Sequence, residues 1–189
     1  DLAVVAVGVG LWLPSILFLI GVMMAATPLI AEAKGANKQQ DIPWITHQSL
    51  YLALIIGLLG FAVLQLFPLT FDLLQIPPHL RPKASLFLKA IAFGVPAVTL
   101  YGTLRAYTEA LGHPRPVTVI SLLGLACIVP LNYVFMHGIG PFPALGGAGC
   151  GVATALVQWM MLIVLIIYLS IAKTYQHLRL FSSMDKPDF

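Results

Sequence analysis

PVTVISLLGLACIVPLNYVFMHGIG (116–140), continuing as PFPALGGAGCGVATALVQWMMLIVLIIYLSIA (141–172), separates Arg115 from Lys173 by 57 residues without an Asp, Glu, Lys or Arg. One membrane crossing needs about 20 helical residues for a ~30 Å hydrocarbon core, so this run is too long for a single span. The turn Gly138-Ile139-Gly140-Pro141-Phe142-Pro143, followed by Gly146 and Gly147, divides it into two membrane-length halves. Each half holds one conspicuous polar group, Asn132 in the first and Thr154 in the second. The pattern is a helical hairpin that crosses the bilayer twice and faces something polar inside.

The rest of the chain agrees. Of its 189 residues, 59% are hydrophobic and 9% charged, with a mean hydropathy of +0.94. Soluble domains carry about 25% charged residues, so the composition places the chain in a membrane. Long apolar runs interrupted by Pro and Gly predict an all-α, polytopic helical bundle, because barrel strands alternate over ~10 residues. The net charge of +3 comes from basic residues in loops, which report topology and not nucleic-acid binding. Cys127 and Cys150 have no CxxC or Cys/His spacing and read as packing residues. The uncharged run 2–31 is longer than a signal-peptide core and has no basic region before it. With Asp1 in place of Met, it suggests a fragment of a longer protein.

Five spans are expected, at about 3–31, 44–67, 83–111, 117–136 and 149–172, together forming a bundle over 1–172. Residues 173–189 form a polar tail. Asp1 is placed to cap the first helix, and Pro43 to start the second. Pro14 and Pro28 in the first span, Pro96 in the third and Pro130 in the fourth are expected kinks. One side of the membrane receives Lys34, Lys38, Arg115, Lys173, Arg179 and Lys186, with Arg105 nearby; the other receives Arg81, Lys83 and Lys89. That imbalance predicts a cytoplasmic location for the first and third loops and the tail.

Asn132 follows Pro130, which removes a backbone donor and frees a carbonyl on the preceding turn. A kinked helix with an amide beside it can offer a polar site at mid-membrane; the alternative is a hydrogen bond to a neighbouring helix, worth ~0.6 kcal/mol. Thr154 has the same two readings, the plainer one being a bond to its own i−4 carbonyl. Gly147, Gly151 and Ala155 recur every four residues and form a stripe suited to close helix packing. Arg105 and Glu109, four apart, are placed for an ion pair near the cytoplasmic end or for a gate contact; Glu32 and Lys34 are read alike. Tyr101, Tyr133 and Trp159, with Phe93 and Tyr107, could supply faces for a cation or pack against lipid and neighbours. His47, His79, His113, His137 and His177 lack metal spacing and are expected at helix ends.

Enzyme apparatus is missing from the sequence. It contains no His-Glu-x-x-His, no G-x-S-x-G and no Walker A lysine. Gly146-Gly147-Ala148-Gly149-Cys150-Gly151 does not fit G-x-G-x-x-G. No metal or organic cofactor is expected.

Leu131-Asn132-Tyr133-Val134-Phe135 and Leu145-Gly146-Gly147-Ala148-Gly149-Cys150-Gly151-Val152-Ala153-Thr154-Ala155 closely resemble the multidrug and toxic compound extrusion (MATE) transporters, in particular the NorM-like branch. Further matches fall in order: Leu13-Pro14-Ser15-Ile16-Leu17-Phe18, Ala26-Thr27-Pro28-Leu29-Ile30-Ala31, Lys34-Gly35-Ala36, Pro96, Leu104-Arg105-Ala106-Tyr107-Thr108-Glu109 and Gly112. The resemblance covers essentially the whole chain. It implies a twelve-helix transporter of two lobes, of which this chain is helices two to six of the N-terminal lobe, with 173–189 as a cytoplasmic linker toward a missing second lobe.

It also implies secondary-active efflux of cationic amphipathic compounds across the inner (plasma) membrane, by Na⁺ or H⁺ antiport with alternating access. Asn132 matches the second of two polar positions on helix five, the first falling here on Ile128, and Thr154 matches a helix-six threonine. Together they would form the ion- or proton-linked polar site with an Asp on the absent first helix. Tyr101, Tyr133 and Trp159 are the substrate-cavity candidates. The alternatives are a lipid-linked-substrate flippase of the same superfamily and a non-transporting membrane subunit.

Overall fold

A computed structural model describes residues 2–24, 26–36, 38, 41–72, 76–139 and 144–172. Every regular element among them is helical: α1 (Leu2–Met24), α2 (Ala26–Gly35), α3 (Ile42–Leu66), α4 (Arg81–Ala92), α5 (Val95–Ala110), α6 (Arg115–His137) and α7 (Gly149–Ile171). Two short 3₁₀ turns, Phe67–Thr70 and Gly146–Ala148, extend α3 and lead into α7. The tail 173–189, the Asp1 cap and the 140–143 part of the hairpin turn lie outside the described residues.

Proline starts the helices. Pro43, Pro82, Pro96 and Pro116 occupy the first two positions of α3, α4, α5 and α6, where no intrahelical N–H is required. Glycine ends them. Gly112 has φ +79°, and the N–H groups of Gly112 and His113 bond to the carbonyls of Glu109 and Thr108, closing α5 with a Schellman turn.

The third expected span is divided. It is α4 and α5, separated by a turn at Phe93-Gly94; the first span is α1 and α2, and Ala25 between them lies outside the described residues. The helix α4 ends at Ala92, four residues before Pro96. A proline supplies no N–H to the i−4 carbonyl and its ring crowds that carbonyl, so the ladder stops there. Pro14 and Pro130, by contrast, sit inside continuous helices. The other expected spans fall within two residues of α3, α6 and α7, with α3 prolonged by its 3₁₀ turn.

The helix at the centre is α5, which packs against α1, α2, α3 and α7, while α6 lies mainly against α7. One cluster of buried side chains joins α1 and α4 through Trp12, Ile16, Phe87 and Ile91; a second joins α5, α6 and α7 through Tyr101, Tyr107, Ile120 and Leu165. The small-residue stripe on α7 serves this packing. A Cβ on Gly151 would come within 2.7 Å of the Phe87 carbonyl oxygen, and one on Gly94 within 3.0 Å of Ala155 Cα. The first spacing admits no Cβ and the second is tighter than ordinary contact, so glycine at both positions lets backbones approach.

The exterior is apolar. Leu58, Leu59 and Val63 of α3, Leu122, Leu125 and Val129 of α6, and Ile163 and Ile167 of α7 are exposed. In water such a surface would aggregate; in a bilayer it is the solvated face. Four stretches are long and apolar enough to cross a membrane, Ile42–Thr70, Arg81–Ala110, Arg115–His137 and Gly146–Ile171, while α1 contributes the apolar run Gly8–Gly21. Four of the five expected spans thus meet that length among the described residues.

Candidate functional site

Asn132 lies on α6 two residues beyond Pro130, and its Oδ1 is buried. That oxygen has no hydrogen-bond partner among the described residues. Pro130 supplies no N–H to the Ala126 carbonyl, six residues before Asn132 on the same helix. An unmet buried acceptor costs about 1–3 kcal/mol, which favours a donor or cation at this point. Ile128, one turn before Asn132, adds no polar atom.

Thr154, on the first turns of α7, donates its hydroxyl to the Cys150 carbonyl at 2.8 Å. The plainer of its two sequence readings describes this bond. The Oγ1 lone pairs can still accept a bond or a cation. Asn132 and Thr154 therefore sit on two helices packed together, with no hydrogen bond between them.

The three aromatic candidates have separate environments. Tyr101 on α5 is buried, and its hydroxyl shares a 3.2 Å hydrogen bond with Ser121 on α6. Tyr133 is exposed and its ring lies 4.6 Å from that of His137. Trp159 on α7 donates Nε1–H to the Phe93 carbonyl at 2.8 Å, in the turn between α4 and α5. The Phe93 ring packs edge-on against Phe61, with centroids 5.1 Å apart. Tyr107 is fully buried in the second core cluster.

Arg105 Nε donates to Glu109 Oε1 at 2.7 Å, an i,i+4 pair with 53% and 35% of the side chains exposed. Lys34 Nζ instead reaches the Leu111 carbonyl at 2.8 Å, tying the end of α2 to the C-terminus of α5. At the other end of the bundle, Arg81 pairs with Asp72 and also donates Nε–H to the Ile76 carbonyl. His47 departs from the interfacial expectation, being buried in the second turn of α3. Among the described residues, no group of three or more His, Cys, Asp or Glu side chains could hold a metal.

Sequence reasoning missed the threonine column of α5. Thr99, Thr103 and Thr108 are buried, with hydroxyls donated to carbonyls three or four residues back. Their near-i,i+4 spacing was the available signal. The Trp159–Phe93 link had no local signal, since its partners are 66 residues apart.

This arrangement, an apolar-faced helical bundle with a broken span and an unmet buried acceptor, defines a polytopic membrane protein. The MatE family model matches residues 1–134, and the chain belongs to that family. It is 56% identical over 186 residues to a probable multidrug resistance protein NorM of Acinetobacter baylyi, covering 98% of this chain and 41% of that protein. It is 38% identical over 187 residues to the multidrug resistance protein NorM of Vibrio cholerae, covering 99% of this chain and 41% of that protein. Among solved structures, an inward-facing multidrug resistance MATE family transporter of the MOP superfamily superposes with a TM-score of 0.77 at 19% identity, over 95% of this chain and 42% of that one, a likeness of fold. The chain thus spans about two-fifths of the length of the relatives it matches.

Proposed function

We propose that the chain is the N-terminal lobe of a secondary-active multidrug exporter, lying in the inner membrane with its α5–α6 turn and tail in the cytoplasm. The exporter carries cationic amphipathic compounds outward by alternating access, in exchange for Na⁺ or H⁺, and needs neither enzymatic chemistry nor a cofactor. The observation that carries this reading is the alignment of nearly the whole chain, at 56% identity, with a protein named for multidrug resistance. The buried, unpartnered Asn132 Oδ1 adds a chemical reason. A neutral amide cannot carry a proton, but it can orient a protonated carboxyl or share a cation supplied by another part of the protein. Thr154 Oγ1 offers a second neutral oxygen on the packed helix α7. Such a site changes its bonding when the ion leaves, which gives the two lobes a reason to rearrange.

The test uses the intact protein in proteoliposomes. Ethidium movement is followed under an imposed Na⁺ gradient, an imposed H⁺ gradient, or neither. Export driven by one gradient supports the reading and identifies the ion. Ethidium movement indifferent to both gradients would sink it, and translocation of a lipid-linked substrate would favour a flippase.

A further inference from the structure

Between the first turns of α6 and the last turns of α7 runs an open groove of about 330 Å³. Val119, Ile120 and Leu123 form one wall, Val164 and Tyr168 the other, and Arg115 stands at its end. Its volume falls at the low end of the ~300–1,000 Å³ typical of small-ligand sites. Val119 and Leu123 are 56% and 50% exposed, and their face continues into Leu122 and Leu125. The groove therefore opens sideways, on an apolar face of a helix long enough to cross a membrane.

Arg115 is exposed in the first turn of α6 and has no hydrogen-bond or ion-pair partner among the described residues. Arg81 and Arg105, by contrast, have carboxylate partners, and Lys34 has a carbonyl. Eight residues of helix place Leu123 about 12 Å below Arg115 along the axis. The result is an apolar trough of lipid-chain dimensions with an unneutralised guanidinium at its mouth. A guanidinium pairs bidentately with phosphate oxygens, and Tyr168 places an aromatic ring with a polar tip beside it.

We propose that this groove is a binding site for one anionic glycerophospholipid, its phosphate on Arg115 and an acyl chain along Val119, Leu123 and Val164. Charge decides the class of occupant: a zwitterionic headgroup brings its own cation to the guanidinium, and an anionic one does not. The inference stands apart from the transport reading, because it needs only that α6 and α7 face lipid.

The experiment is a thermal-shift titration of the intact, delipidated protein with phosphatidylglycerol or phosphatidylcholine in mixed micelles. Phosphatidylglycerol is expected to raise Tm saturably and phosphatidylcholine to have little effect. Arg115→Gln should weaken the phosphatidylglycerol response about fivefold, the order expected for one basic residue at an anionic surface, and Arg115→Lys should retain most of it. Leu123→Trp, a half-exposed position that tolerates bulk, should fill the groove and remove the response while leaving the lipid-free Tm in place. Equal responses to both lipids, or an unchanged response in Arg115→Gln, would overturn the proposal. So would the same stabilisation by glycerol 3-phosphate alone. A spin label at Val119→Cys that oxygen cannot reach in bilayers would show another helix covering the groove, with the same consequence.

Discussion

The indole of Trp159 donates its Nε1–H to the carbonyl oxygen of Phe93 at 2.8 Å, linking the middle of α7 to the break between α4 and α5. The break leaves carbonyls that the helix ladder no longer serves, because Pro96 has no N–H to give Ala92. In a membrane no water reaches them cheaply, so a donor from a neighbouring helix stabilises the interruption. Gly94 packs against Ala155 on the same helix as Trp159, so one face of α7 both crowds and caps the turn.

Trp159→Phe keeps the ring bulk and removes the donor. Loss of about 1–3 kcal/mol is expected, the cost of a buried acceptor left unmet, toward the low end because this site is partly open. Thermal unfolding of the intact protein in detergent reads it. A Tm equal to that of the wild type would mean that the carbonyl finds another donor.

Gly151→Val places atoms where the Phe87 carbonyl already stands 2.7 Å from a Cβ. Backbone cannot rotate aside as a side chain can, so α4 and α7 must separate. A loss of about 1–3 kcal/mol is expected for such overpacking, seen as a lower folded yield and Tm. Gly10→Ala, where nothing lies within 4 Å of the added Cβ, serves as the control and should cost little.

Asn132→Ala removes the unpaired Oδ1. If that oxygen meets an ion-linked partner in the intact protein, ion-driven ethidium export falls about 5- to 150-fold, the equivalent of ~1–3 kcal/mol of coupling. Folded yield should stay near wild type, because the acceptor has no partner among the described residues to lose. Unchanged export with unchanged ion dependence would remove Asn132 from the site.

Glu109→Gln breaks the 2.7 Å pair with Arg105. Both groups are substantially exposed, and such i,i+4 pairs contribute ~0.3–0.5 kcal/mol in the favourable order; here Arg precedes Glu, the weaker one. Stability should change by less than that, less still at high salt. A fall in export without a fall in Tm would instead give the pair the gate role.

The parts of the fold legible in advance follow from local composition. The ends of α3, α6 and α7 lie within two residues of the expected spans because a bilayer demands about 20 apolar residues and proline and glycine mark their limits. The hairpin carrying Asn132 and Thr154 was visible for the same reason. The particular state of those two side chains was not. That Thr154 bonds Cys150 while Asn132 Oδ1 finds no hydrogen-bond partner among the described residues depends on which atoms come within reach of one another.

Sequence alone determined the class of the molecule, an apolar helical bundle, because hydrocarbon admits only backbone that satisfies its own hydrogen bonds. It also marked four prolines within or near spans. Only the tertiary structure decided that Pro96 follows a helix end while Pro14, Pro28 and Pro130 lie within helices. A proline frees a carbonyl wherever it stands. Whether the chain bends around it or stops depends on what packs there, and at Phe93-Gly94 the closely packed Ala155 and the donating indole of Trp159 both come from a helix more than 60 residues away.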